Sequence, residues 1–159
     1  MKLYNEEVKV LNDLTYRYAN IVCHGGYGNN PDVLMLSAKS TIRNGFIKKV
    51  DVMFKGKDAN GENQFDRFLY IDSEYGHEIK LPYEKIVAMD ILSSSEQAYL
   101  ENYNRNKDKW SEQIERCNEL MATAKNEESI EFIKENIEMY QSMLKKGEEM
   151  VANGVKTFK

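Results

Sequence analysis

Residues 93–125, SSSEQAYLENYNRNKDKWSEQIERCNELMATAK, run straight into residues 126–154, NEESIEFIKENIEMYQSMLKKGEEMVANG, and their apolar spacing decides the fold. Ser93 and Glu96 have capping-box spacing, in which a hydroxyl and a carboxylate each satisfy the other residue's backbone N–H, and no Pro or Gly follows before Lys125. Tyr99, Tyr103, Trp110, Ile114, Cys117, Met121 and Ala124 recur at steps of three and four, broken only at Asn106, which is the stripe of an amphipathic helix. Asn126 then offers a cap, with Glu127 and Glu128 placed to favour the positive end of the helix dipole. A second stripe of Ile130, Ile133, Ile137, Tyr140, Leu144 and Val151 runs to a stop at Asn153-Gly154. Two stripes joined by almost no loop predict an antiparallel helical hairpin over 93–153, with 154–159 as a tail.

Gly147 fills the one seam position that lacks a side chain, and it falls opposite Tyr99 and Tyr103, where a large ring needs room. The aromatic residues of the first helix are therefore expected in the seam rather than as a stacking platform. Each arm is roughly 40 to 45 Å long at 1.5 Å per residue, so part of the hairpin should project or be covered by another chain.

The second helix carries an apolar row beside its seam: Phe132, Met139, Met143 and Met150. A two-helix hairpin needs one seam per helix, so this flank asks for a third body. That body is either the β part of the same chain, a second copy in a four-helix bundle, or another protein; methionine suits each, because its thioether adapts to irregular surfaces. The hairpin also carries 13 acidic and 8 basic residues between Glu96 and Glu149, a mixed pattern typical of solvated helix faces.

Upstream, residues 15–92 change to short period-two runs separated by turn residues, which predicts an antiparallel β domain. The expected strands are Tyr16–His24, Val33–Ser40, Phe46–Lys55, Phe65–Asp72, Glu78–Leu81 and Ile86–Leu92. In the third, Phe46, Val50, Val52 and Phe54 share a side, with Lys48 the exception. Asn44-Gly45 reads as a tight hairpin turn, and Asp58 to Gly61 as the next. The break at Pro82-Tyr83-Glu84-Lys85 fits a short helical turn that closes a small barrel or a strongly curved sheet. Before all this, Tyr4, Val8 and Leu11 behind Asn5 predict a short helix within residues 1–14. The fold expected is α+β.

Function classes narrow by composition. With 159 residues and 42% apolar content the chain can bury a core without staples, and a formal charge of −4 disfavours general nucleic-acid or anionic-membrane binding. Cys23 and Cys117 have no companions at metal-ligand spacing, which points to reduced thiols and a cytoplasmic setting. The first 14 residues carry Glu6, Glu7 and Asp13, unlike a signal peptide, and no apolar window is long enough to span a bilayer. Fifteen Asn and 17 Lys against 5 Arg indicate an AT-rich source genome, bacterial or a mobile element.

No catalytic constellation, cofactor motif or metal motif stands out. The loop His24 to Pro31 has three glycines but lacks the Lys and Ser/Thr of a phosphate-binding loop. Tyr27, Asn29 and Asn30 in it are candidate partner contacts, and the alternative is a small-ligand or hydrolytic site there, completed by His77 and nearby carboxylates. Cys23 and His24 are adjacent in a strand and so point to opposite faces, which rules them out as a nucleophile and base pair. Asp58, Asn60 and Glu62 imitate the start of a calcium loop, yet Gly61 comes too early and no helices flank it. The function expected is a non-catalytic protein-binding module, an adaptor or inhibitor, with Phe132, Met139, Met143, Met150, Tyr27, Asn29 and Asn30 as contacts. An inhibitor of a host enzyme or defence complex, encoded by a mobile element, is one form of that expectation; a homo-oligomeric structural subunit is the other non-catalytic form.

Overall fold

The computed structural model describes residues 12–25 and 39–159. These fall into two compact units, divided between Ser95 and Glu96. The first holds β1 (Tyr18–His24), β2 (Lys39–Lys57), β3 (Asn63–Asp72), β4 (Glu78–Pro82), a 3-10 turn (Tyr83–Lys85) and β5 (Ile86–Ile91), and the order across the sheet is β4-β3-β2-β1-β5, all antiparallel.

Consecutive strands β4 and β5 thus lie at opposite edges of the sheet, joined by the three residues Tyr83–Lys85. That link spans at most about 14 Å. In a flat sheet the two edges would stand ~19 Å apart, and the ends to be joined would also be offset by ~36 Å along β2, since Pro82 is level with Asp51 and Ile86 with Ser40. The sheet therefore curls, and β2 is where it bends.

Asn44-Gly45, expected as a hairpin turn, is instead a bulge inside one continuous strand. The register jumps from Ala19↔Gly45 to Ile21↔Ile42, Asn44 takes φ 49°, and its N–H donates to Asn20 Oδ1 at 3.0 Å. Asparagine tolerates that backbone conformation, so the dipeptide serves a bulge as well as a turn. Gly45 is needed for a second reason: a Cβ there would lie 2.8 Å from Ile71 Cγ2 and 2.9 Å from Ile42 Cγ2. The expected strands at 33–40 and 46–55 are accordingly one strand from Lys39 onward, and 33–38 lie outside the described residues.

Lys48 marks a second bulge, between Ile47↔Ile71 and Lys49↔Tyr70. The slip puts Ile47 with the core and Phe46 on the other face, where its ring meets Tyr18 at 4.9 Å, so Phe46 does not share a side with Val50 as the alternation implied. Lys48 swings outward to Glu78 at 2.6 Å and Asp72 at 3.2 Å, hydrogen bonds that push its pKa up. Ala19, Ile21, Cys23, Ile42, Ile47, Leu69, Ile71, Ile79 and Leu81 make the core.

The sheet is not a closed barrel: among the described residues no ladder joins β4 to β5, because each pairs only with its inner neighbour before the 3-10 turn redirects the chain. No N-terminal helical element is defined among them either; the expected segment lies up to residue 11 outside the described residues, and Asp13–Tyr16 make turns, with Thr15 N–H on Asn12 O and Arg17 N–H on Leu14 O.

The second unit is the helical hairpin, α1 (Ser95–Thr123) and α2 (Glu127–Ala152). Asn126 Oδ1 accepts the Ser129 N–H at 2.7 Å, and Gly154 at φ 80° ends α2 with Val155 N–H on Met150 O and Gly154 N–H on Val151 O, the paired bonds of a Schellman stop. Ser93 does not cap α1 by its expected box; buried at the end of the first unit, its Oγ accepts the Tyr18 N–H at 2.8 Å.

The seam holds Leu100, Tyr103 and Trp110, with Tyr99, Tyr140, Met143, Leu144 and Val155 packed on them. Gly147 is its tightest point, since a Cβ there would overlap the Tyr103 ring. Val151, assigned to the seam by spacing, is exposed; the chain turns at Gly154 and Val155 takes the place at that end.

Two outcomes test this seam. Gly147→Ala, which at an exposed helical site would stabilise by about 1 kcal/mol, should instead destabilise by about 1–3 kcal/mol through overpacking, read as a lower urea midpoint. Tyr99→Phe removes the bond from Tyr99 Oη to Met143 O at 2.9 Å and should cost about 0.5–1.5 kcal/mol at neutral pH. Burial raises the Tyr99 pKa, so its contribution is complete below the ordinary tyrosine value and is lost as pH rises through the folded value; the gap between Tyr99→Phe and wild type should therefore narrow in strong base.

Candidate functional site

The flank of α2 divides into two kinds of position. Phe132 is 66% exposed and Met139 46%, whereas Met143 and Met150 are half-buried, Met143 by packing on the seam cluster. Leu120 on α1, at 57% exposure, stands near the same end of the hairpin as Phe132. Tyr103 and Trp110 are buried with ring centroids 6.4 Å apart, so no aromatic platform is offered along the seam.

A second apolar surface lies on the β unit. β4 covers β3 only from Phe68 to Asp72, so Val52–Lys57 and Asn63–Arg67 continue as a two-stranded ribbon. Met53 and Phe54 are both exposed on it, and Phe54 rests against Phe65 at 5.8 Å. Neither was anticipated as a contact. The available signal was the adjacency of two large apolar residues in an alternating strand: with period two, both can be buried only if both faces are covered.

The polar groups suspected of chemistry are dispersed. Asp58 Oδ1 accepts the N–H groups of Asn60 and Glu62 at 2.9 Å each and Oδ2 accepts from Gln64 at 3.0 Å, which makes it the organiser of the ribbon's turn. Asp66 pairs with Lys55 at 3.7 Å and Asp72 with Lys48, so these carboxylates belong to separate ion pairs. His77 is exposed in the β3–β4 turn, where its backbone N–H donates to Ser73 Oγ at 3.0 Å. An open depression of about 260 Å³ is lined by Thr41, Ile42, Arg43, Ser73, Glu74 and Tyr75, below the usual range of ligand sites and without a nucleophile–base pair.

No group of three or more His, Cys, Asp or Glu side chains suited to a metal occurs among the described residues. No helix among them is long and apolar enough to cross a membrane. The candidate contacts Tyr27, Asn29 and Asn30 lie outside the described residues.

Cys23 is fully buried beside Ser40 O at 3.6 Å; burial pushes its thiol pKa up, and the charge of Lys85 opposes this only in part. Reaction requires thiolate and access, and this site withholds both. No protein-family model, curated protein or solved structure matches the chain.

Native protein treated with iodoacetamide at neutral pH should leave Cys23 unmodified by peptide mass spectrometry, with full labelling only in denaturant. Rapid labelling of the native thiol would refute the burial assignment.

Proposed function

We propose that this chain is a non-catalytic protein-binding module, an adaptor or inhibitor, that acts through apolar side chains held in solvent. The observation that carries this reading is Phe132, two-thirds exposed in the second turn of a well-capped helix, one heptad from exposed Met139. Burying such a side chain is worth about 1.5–3 kcal/mol, and here the fold leaves that energy to association. The ribbon residues Met53 and Phe54 form a separate contact of the same kind, and an adaptor needs two.

Charged residues border the exposed positions, as at the rims of protein interfaces: Glu128, Glu131 and Glu135 surround Phe132 in sequence, and Lys55 and Asp66 border Met53 and Phe54. An inhibitor of a host enzyme or defence complex is the form of this activity that suits an AT-rich mobile-element source. Blocking a partner by contact needs only surface, which is what the apolar positions provide.

The test is capture of proteins from an extract of the native host, supplemented with untagged copies of the chain, by tagged wild type and two double variants. Met53→Glu with Phe54→Glu, and Phe132→Glu with Met139→Glu, should each lose at least one captured species at unchanged helicity. Identical capture by wild type and both variants would overturn the reading.

A further inference from the structure

The flank of α2 has a symmetry that a lone hairpin does not require. Phe132, Met139, Met143 and Met150 are spaced seven, four and seven residues apart, so the row reads the same from either end and is centred on Gln141. At 100° and 1.5 Å per residue it occupies an arc of about 40° and a length of about 27 Å. When a helix packs antiparallel on its own copy, positions equidistant from the centre on either side come face to face. Phe132 then meets Met150 of the second copy, and Met139 meets Met143.

Exposure matches this pairing. Phe132 and Met139 stand out from the helix while Met143 and Met150 are half-buried, so each projecting side chain faces a recessed one. A surface whose knobs and recesses are exchanged by one two-fold axis is the isologous kind that closed dimers use.

Charge selects the direction. Residues 111–139, the half of the hairpin around its turn, hold eight acidic and three basic side chains, whereas 96–110 with 140–159 hold five acidic and seven basic. Parallel copies would set the acidic halves together; antiparallel copies set each acidic half beside the other's basic half. Within the row's own borders, the same register brings Glu135 beside Lys146 of the second copy, and both are exposed.

We propose that this flank seats a second copy of the chain, α2 packed antiparallel on α2 about a two-fold axis level with residue 141 and facing the row. The inference rests on the reading of the flank as a protein contact and names its occupant. The ribbon with Met53 and Phe54 is left for a different protein, so the dimer presents two such ribbons.

The test is light scattering on the full chain across about a hundredfold in concentration, where mass action exposes self-association. Wild type should reach twice the chain mass, and Phe132→Glu with Met139→Glu should remain monomeric with an unchanged circular dichroism spectrum. Glu135→Lys alone, which sets Lys against Lys146, should weaken the dimer about tenfold, and adding Lys146→Glu should restore it. A wild-type monomer at every concentration, a dimer indifferent to the Phe132 and Met139 changes, or failure of the charge exchange to rescue would each overturn the proposal. A monomer whose flank variant still loses a captured protein would remove the second copy and leave the protein-binding reading intact.

Discussion

The connection from β4 to β5 has three residues to join opposite edges of a five-stranded sheet, and that shortage of chain dictates the geometry of the β unit. A strand as long as β2 would, if straight, hold those edges too far apart for any three-residue link. The bend has to be built into β2, and the sequence supplies two devices for it: an asparagine able to adopt φ 49° before a glycine that admits Ile42 and Ile71, and an extra residue at Lys48. Each bulge increases local twist and re-aims the side chains after it. The result is a core drawn from every strand but β5, with Ile86 and Met89 of that strand packed against it.

An analogous constraint governs the hairpin. Tyr103 occupies the space that a side chain at position 147 would take, which fixes the rotation of α2 about its axis relative to α1. Rotation decides exposure: with Gly147 turned toward α1, Tyr140 and Leu144 join the seam and the Phe132–Met139 row is turned out of it. The exposed apolar positions therefore follow from the same close contact that stabilises the unit.

The hairpin was legible because its signals are local and redundant. Asn126, Gly154 and the Gly147–Tyr103 match act within one turn or across one seam, and periodicity alone brings the matched residues together. Signals with two structural uses were misleading. Asn-Gly serves a turn or a bulge, and only the pairing of residues 18–24 with both 39–46 and 86–91 distinguishes them. A Ser93 hydroxyl can accept from any N–H the fold brings near, and here it accepts from Tyr18, 75 residues away in sequence. Val151 fits the seam period but falls where the chain is about to reverse. The exposure of Met53 and Phe54 depended on where β4 stops, a long-range fact that strand patterning does not carry.

The polar side chains bear on function by what they already do. Asp58 organises a turn, Lys48 ties β2 to β3 and β4, Ser93 receives the start of β1, and Asn20 holds the bulge; each is a group that might have been assigned chemistry and is instead bonded within the fold. Apolar side chains have no such internal alternative once the core is filled. Phe132, Met139, Met53 and Phe54 remain in water although both units have apolar interiors: Gly147 turns the α2 row out of the seam, and β4 stops short of the ribbon. Their exposure thus follows from the rotation of α2 at Gly147 and from the length of β4, and burying them would release free energy that neither the seam nor the sheet core collects.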